Sequence, residues 1–113
     1  MKYAMLIYKT EGSRDLLSAE ALQQDADAFE AEVRALPSVS AVMRLQGVEA
    51  ATTVRVEGGK TLLTDGPFVD SKEYVGGLFM VDVANLDEAI AIAAQLQEDR
   101  PSGLAIEVRP LDE

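Results

Sequence analysis

Thr64-Asp65-Gly66-Pro67-Phe68-Val69-Asp70-Ser71-Lys72-Glu73-Tyr74 is the stretch on which the fold of this chain turns. Turn formers, acids, a base and two aromatic rings crowd there between strand-like runs. Pro67 has no N–H and a fixed φ, so with Gly66 it ends any ladder arriving from upstream and forces a bend beside Asp65. An acid at a forced bend is held still, which suits a site and a plain turn equally.

Working outward, residues 52–56 and 60–64 flank Glu57-Gly58-Gly59, whose glycines accept positive φ, and the two pieces are predicted to form a β-hairpin. On the other side of the bend, residues 75–83 form an apolar run predicted as a buried strand. Its paired Gly76-Gly77 predicts a bulge, or close approach by another backbone or a ligand. Residues 1–8 are almost continuously apolar and predict a central strand beside it. Residues 9–17, with Gly12 and Ser13, predict a loop long enough to act as a flap.

Ser18 is a predicted N-cap for a helix whose apolar stripe is Ala19, Leu22, Ala26, Phe29, Val33 and Leu36. Gln23, Gln24, Asp25, Asp27, Glu30, Glu32 and Arg34 are expected to face water, and Pro37 stops the helix. Residues 39–45 alternate, with Val39, Ala41, Met43 and Leu45 on one side, which predicts a strand ended by Gly47. Asn85 and Glu88 have capping-box spacing before a second helix with stripe Leu86, Ala89, Ile90, Ala93 and Leu96, ended at residues 99–101. Leu104, Ile106 and Val108 alternate with Ala105, Glu107 and Arg109 in a last strand that Pro110 closes.

Without the hairpin this order is βαββαβ, the split βαβ or ferredoxin-like α+β arrangement, with both helices on one face of an antiparallel sheet. The other face, rich in Val, Leu, Met and Phe, would then expose more apolar surface than a monomer tolerates. Stacking sheet on sheet in a homodimer, a dimeric α+β barrel, is the economical solution. A cavity between helix face, sheet and hairpin is the expected ligand site.

The 113 residues suit one domain spanning residues 1–113. With 20 acids against 10 bases the net charge is -10, which disfavours nucleic acid and anionic lipid as direct partners. The apolar runs are short of the ~20 residues of a membrane span and the amino terminus reads as a strand, so a cytoplasmic location is expected. Cysteine and histidine are both absent. That removes thiolate nucleophiles, disulfides, Ser-His-Asp relays and imidazole metal ligands, leaving proton transfer to Asp, Glu, Lys, Tyr or water. The acidic run from Glu20 to Glu32 reads as a solvated helix face, because divergent carboxylates do not converge on a cation. No metal and no cofactor are expected.

The strand Thr52-Thr53-Val54-Arg55, the turn Thr64-Asp65-Gly66-Pro67-Phe68, the Lys72-Glu73 pair and the Gly76-Gly77 strand together resemble the DGPF branch of the YCII-related family, over essentially the whole chain. The resemblance implies a ferredoxin-like dimeric α+β barrel, similar in shape to muconolactone isomerase. It also implies association with extracytoplasmic-function sigma factors. Members of the wider family have been proposed as enzymes on a His and Asp pocket. This chain has no histidine, so Asp65 is the part of that proposal it retains.

Asp65 is the candidate catalytic residue, a general base for a small carbon acid that a dry pocket would strengthen. Its plainer role is to accept backbone N–H groups and fix its own turn. Arg55 is a candidate ligand-binding residue, its planar fork suited to a carboxylate, unless it pairs with Glu57. Lys72 and Glu73 are further candidates, though neighbours in a strand point to opposite sides. Thr53, Pro67 and Phe68, from the block that carries the resemblance, complete the ligand-binding set, and Tyr3, Tyr8 and Tyr74 are weighed as cavity lining or core. Two functions follow from this reading. One is a homodimeric small-ligand-binding or sigma-factor-associated accessory protein. The other is a cofactor-free isomerase or lyase-like enzyme that uses Asp65.

Overall fold

In the computed structural model, which describes residues 1–10, 18–98, 100 and 104–113, the chain runs β1 (Lys2–Thr10), α1 (Ala19–Arg34), β2 (Val39–Arg44), β3 (Thr52–Glu57), β4 (Lys60–Asp65), β5 (Glu73–Asp82), α2 (Leu86–Gln97) and β6 (Leu104–Pro110). A 3-10 turn at Val48–Ala50 links β2 to β3. The four-stranded sheet has the order β2-β5-β1-β6 with antiparallel neighbours, and β3 and β4 form a separate two-stranded sheet. This is the ferredoxin-like α+β arrangement with an inserted hairpin. The first strand is longer than its apolar run suggests, because Lys9 and Thr10 continue the ladder opposite Tyr74 and Glu73. Of the flap expected at residues 9–17, Lys9 and Thr10 thus belong to the strand and residues 11–17 lie outside the described residues.

Local chemistry sets the helix starts. Ser18 accepts a hydrogen bond from the Ala21 N–H at 3.0 Å, and Asn85 accepts one from the Glu88 N–H at 3.0 Å. The Glu88 carboxylate reaches back to the Ala84 N–H at 3.0 Å, one residue ahead of the donor in a capping box. Both helices then bury apolar residues on the same sheet face. Val33 of α1 and Ala89, Ala93 and Leu96 of α2 meet Tyr3, Met5 and Ile7 of β1 and Phe79 and Val81 of β5. Each large side chain fully buried there contributes roughly 1.5–3 kcal/mol.

Since Tyr3, Met5 and Ile7 point under the helices, Ala4, Leu6 and Tyr8 point the other way, beside Leu78 and Met80. That second face carries neither helix. At its β6 edge Glu107 and Arg109 form an ion pair, in register with Leu6 and Ala4.

Three packing expectations are corrected. In β2 the register skips Ser40, so Val42 joins Val39 on the core side while Ala41 and Met43 turn to the bare face. A single alternation over residues 39–45 therefore fails. In α2, Leu86 and Ile90 are exposed and Ile92 packs on the core instead, because the arc that meets the sheet, through Ala89, Ile92, Ala93 and Leu96, is rotated about the helix axis from the expected stripe. In α1, Asp25 and Glu30 are half-buried rather than water-facing, since they lie over the edge strand β2.

The Gly76-Gly77 pair has two separate causes. The β1–β5 register skips Gly76 at a bulge between Ile7 and Tyr8. A Cβ on Gly77 would lie 2.8 Å from the Met43 carbonyl oxygen, so that glycine admits the backbone of β2. A Cβ on Gly76 would meet the Lys9 Cε at 2.9 Å, the far end of a side chain that can shift. Gly77→Ala should therefore destabilise the protein by ~1–3 kcal/mol in urea unfolding, and Gly76→Ala by clearly less.

Edge strand β2 is tied to α1 by charge. Arg44 Nη1 lies 2.7 Å from Asp27 Oδ1 and 3.3 Å from Glu30 Oε1, and Arg34 Nε lies 2.8 Å from Glu30 Oε2. The hydrogen bond from Arg44 holds Asp27 below the ordinary carboxylate range, and that from Arg34, reinforced by Arg44, does the same for Glu30. Both acids bind protons less readily folded than unfolded. Their contribution to stability is thus present above the ordinary range and fades as pH falls through the depressed values. Stability measured between about pH 5 and pH 2 should fall less steeply with acid in Arg44→Met than in the natural protein.

Candidate ligand site

The chain enters the site along β4 and leaves it along β5. Asp65 is the last residue of β4 and pairs across the ladder with Thr52. Gly66 follows at φ +100°, a conformation that strains any residue with a Cβ. Its N–H donates to the Ala51 carbonyl at 2.8 Å, and its own carbonyl accepts from the Thr53 hydroxyl at 2.8 Å. Thr53, rather than Asp65, therefore holds the bend. The Asp65 carboxylate is exposed and makes no hydrogen bond or ion pair among the described residues.

Below the bend a hollow of about 770 Å³ opens between the end of the sheet and the base of the hairpin. Tyr8, Tyr74 and Val75 line it from the sheet, Leu45, Gly47, Val48 and Ala51 from the β2–β3 connection, and Pro67, Val69, Ser71 and Glu73 from the segment after the bend. Its volume falls in the ~300–1,000 Å³ range of small-molecule pockets. A second cavity of about 100 Å³ lies under α1, lined by Phe29, Val33, Arg44, Gly77 and Arg100 among others, and is too small for more than a few atoms. There Arg100 stacks over Phe29 at 4.8 Å, donates to the Leu96 carbonyl and pairs with Glu32.

The residues expected at a site divide between places. Pro67 and Glu73 line the larger hollow; Asp65, Thr53, Arg55, Phe68 and Lys72 lie outside the lining of either cavity. Arg55 sits 5.4 Å over the Phe68 ring and 3.6 Å from Glu57, exposed on the hairpin. Tyr8 and Tyr74 do line the hollow, whereas Tyr3 is core. The turn at Val48–Ala50 and its neighbours form one wall that sequence reasoning passed over. Gly47 was the visible signal in that segment, and it reads there as a strand end. Among the described residues Glu73 is the one acidic or basic side chain in the lining, and its charge suits a neutral or cationic molecule better than a carboxylate.

These features define a class: a small split-βαβ domain whose inserted hairpin walls a surface hollow at the sheet's end. The chain belongs to the YCII-related family, whose domain pattern matches residues 1–111. Among its relatives is the uncharacterized protein R00369 of Rhizobium meliloti (strain 1021), 36% identical over 114 residues that cover 98% of this chain and 92% of that one.

The Thr53–Gly66 bond can be tested directly. Thr53→Val should cost about 1 kcal/mol locally, seen as a roughly five-fold faster amide exchange at Gly66 with global stability little changed.

Proposed function

We propose that this chain is a single-domain, homodimeric small-ligand-binding protein of the DGPF branch, acting in the cytoplasm. The observation that carries the reading is the hollow, in which Pro67 and Glu73 from the motif region meet Tyr8 and Tyr74 from the sheet. Tyrosines combine an apolar body with a polar tip, so with Leu45, Val48, Val69 and Glu73 beside them the lining fits a small molecule of mixed polarity. The dimer is supported by the bare sheet face, where Leu6, Leu78 and Met80 lack a covering layer among the described residues. Association with an extracytoplasmic-function sigma factor is supported by the family resemblance, and the ligand state would be what such a partner senses.

The enzyme reading has one observation in its favour, an Asp65 carboxylate without a partner among the described residues, and one against it, the position of that carboxylate outside the hollow. Thermal-shift screening against small amines, polyols and aromatic metabolites should find a stabilising compound. Tyr8→Ala or Tyr74→Ala should abolish its effect and Asp65→Asn should preserve it. A drop of ~10² or more in turnover of any compound on Asp65→Asn would instead establish the enzyme. Sedimentation should report a mass twice that of one chain at micromolar concentration; a single-chain mass overturns the dimer.

A further inference from the structure

Strands β3 and β4 alternate in a way that nothing among the described residues uses. On one face the ladder sets Val54 opposite Leu63 and Val56 opposite Thr61, with the Thr52–Asp65 pair at the base of the hairpin. The other face carries Thr53, Arg55, Glu57, Lys60 and Thr64, with Leu62 opposite Arg55 as its one aliphatic residue. Apolar-in, polar-out alternation belongs to a sheet with one covered face. Yet Val54, Val56 and Leu63 are 59%, 67% and 68% exposed. Neither strand packs extensively on any other element. The hairpin stands off as an arm, and the radius of gyration is 15.9 Å against about 13 Å for a compact domain of this size. A two-stranded hairpin alone is marginally stable in water, so an arm of this composition calls for a partner surface.

We infer that the apolar face of this arm packs on a second copy of the chain and closes the hollow there, so that each ligand site is completed by two copies. The inference rests on the dimer proposed above. Three features favour a second copy as occupant. The same chain carries a second uncovered apolar surface, the sheet face of Leu6, Leu78 and Met80, so two copies satisfy both at once with the self-complementary symmetry of a two-fold pair. The hollow joins the two surfaces, being lined by Tyr8 from the bare side of β1 and by Ala51 and Pro67 at the arm's base. Val54, Val56 and Leu63 on the arm are each more than half exposed and Met43 on the bare sheet face is 47% exposed, so two arms with two sheet faces offer apolar area on the scale of the ~1,000 Å² of a lasting interface.

The test uses the full chain in three forms: natural, Val54→Lys with Leu63→Lys, and Thr64→Lys on the polar face of the arm as control. Sedimentation equilibrium should show the natural chain and the control as equal dimers, and the double variant with a dimer Kd raised about 100-fold or more at unchanged circular dichroism. A double variant that dimerises as tightly as the natural chain overturns the arm's role and leaves the dimer standing. A natural chain that is monomeric overturns both. The chain has no tryptophan, so Val56→Trp supplies a second readout. Its emission should be blue-shifted in the dimer and move red on dilution. Red emission in the dimer would leave the arm to a partner of other chemistry, and blue emission in a monomer would place it against its own subunit; either result refutes the inference.

Discussion

The antiparallel pairing of β1 with β5 at the centre of the sheet is the constraint from which the rest of the molecule follows. Each is the middle strand of a split βαβ unit, and since connections between parallel strands are right-handed as a rule, α1 and α2 arrive on the same side. Tyr3, Met5, Ile7, Phe79 and Val81 are thereby buried together. The alternate residues of the same strands are committed to the other face by the two-residue period, whatever their hydrophobicity. A single layer of helices thus creates a core and an uncovered apolar surface in one step. The bulge at Gly76 and the close approach at Gly77 are local adjustments that let β1 and β2 both lie against β5.

The inserted hairpin extends the same logic. Its anchorage is polar and local: the Thr53 hydroxyl and the Ala51 carbonyl grip Gly66 from both sides. Its outer part is amphipathic, with Arg55 drawn over Phe68 on one side and a run of aliphatic residues open on the other. The bend at Gly66-Pro67 therefore couples two surfaces, holding the arm away from the sheet and walling the hollow between them. In this arrangement the motif is first an architectural joint, and its acid is a bystander to the joint that Thr53 makes.

The site was only partly legible in advance. Pro67 and Glu73 stand out because turn chemistry and a charged pair are visible in a single line of residues. The tyrosines were visible as aromatics, but nothing in their spacing said that Tyr8 and Tyr74 would share one wall while Tyr3 went to the core. The wall built by Gly47, Val48 and Ala51 has no signal of its own, since small and aliphatic residues in a connection mark a ligand surface only when other segments close over them. Arg55 read as a possible anion clamp because a guanidinium fork suits carboxylates. Its neighbours across and along the hairpin, Glu57 and Phe68, satisfy it instead.

What the sequence alone determined are the features whose physics is confined to a few neighbouring residues. The caps at Ser18 and Asn85, the turn that needs Gly66 at positive φ, the hairpin around Gly58-Gly59 and the order of strands and helices are all of this kind, because φ preferences and short-range hydrogen bonds belong to the local chain. Tertiary structure alone decided the rest. The skipped residue Ser40 reversed the facing of Ala41 and Met43, the sheet left Leu86 and Ile90 uncovered, and the hollow formed beside Asp65 without including it. Each of these depends on where a distant backbone comes to lie, and one residue of register is enough to turn a side chain from one face to the other.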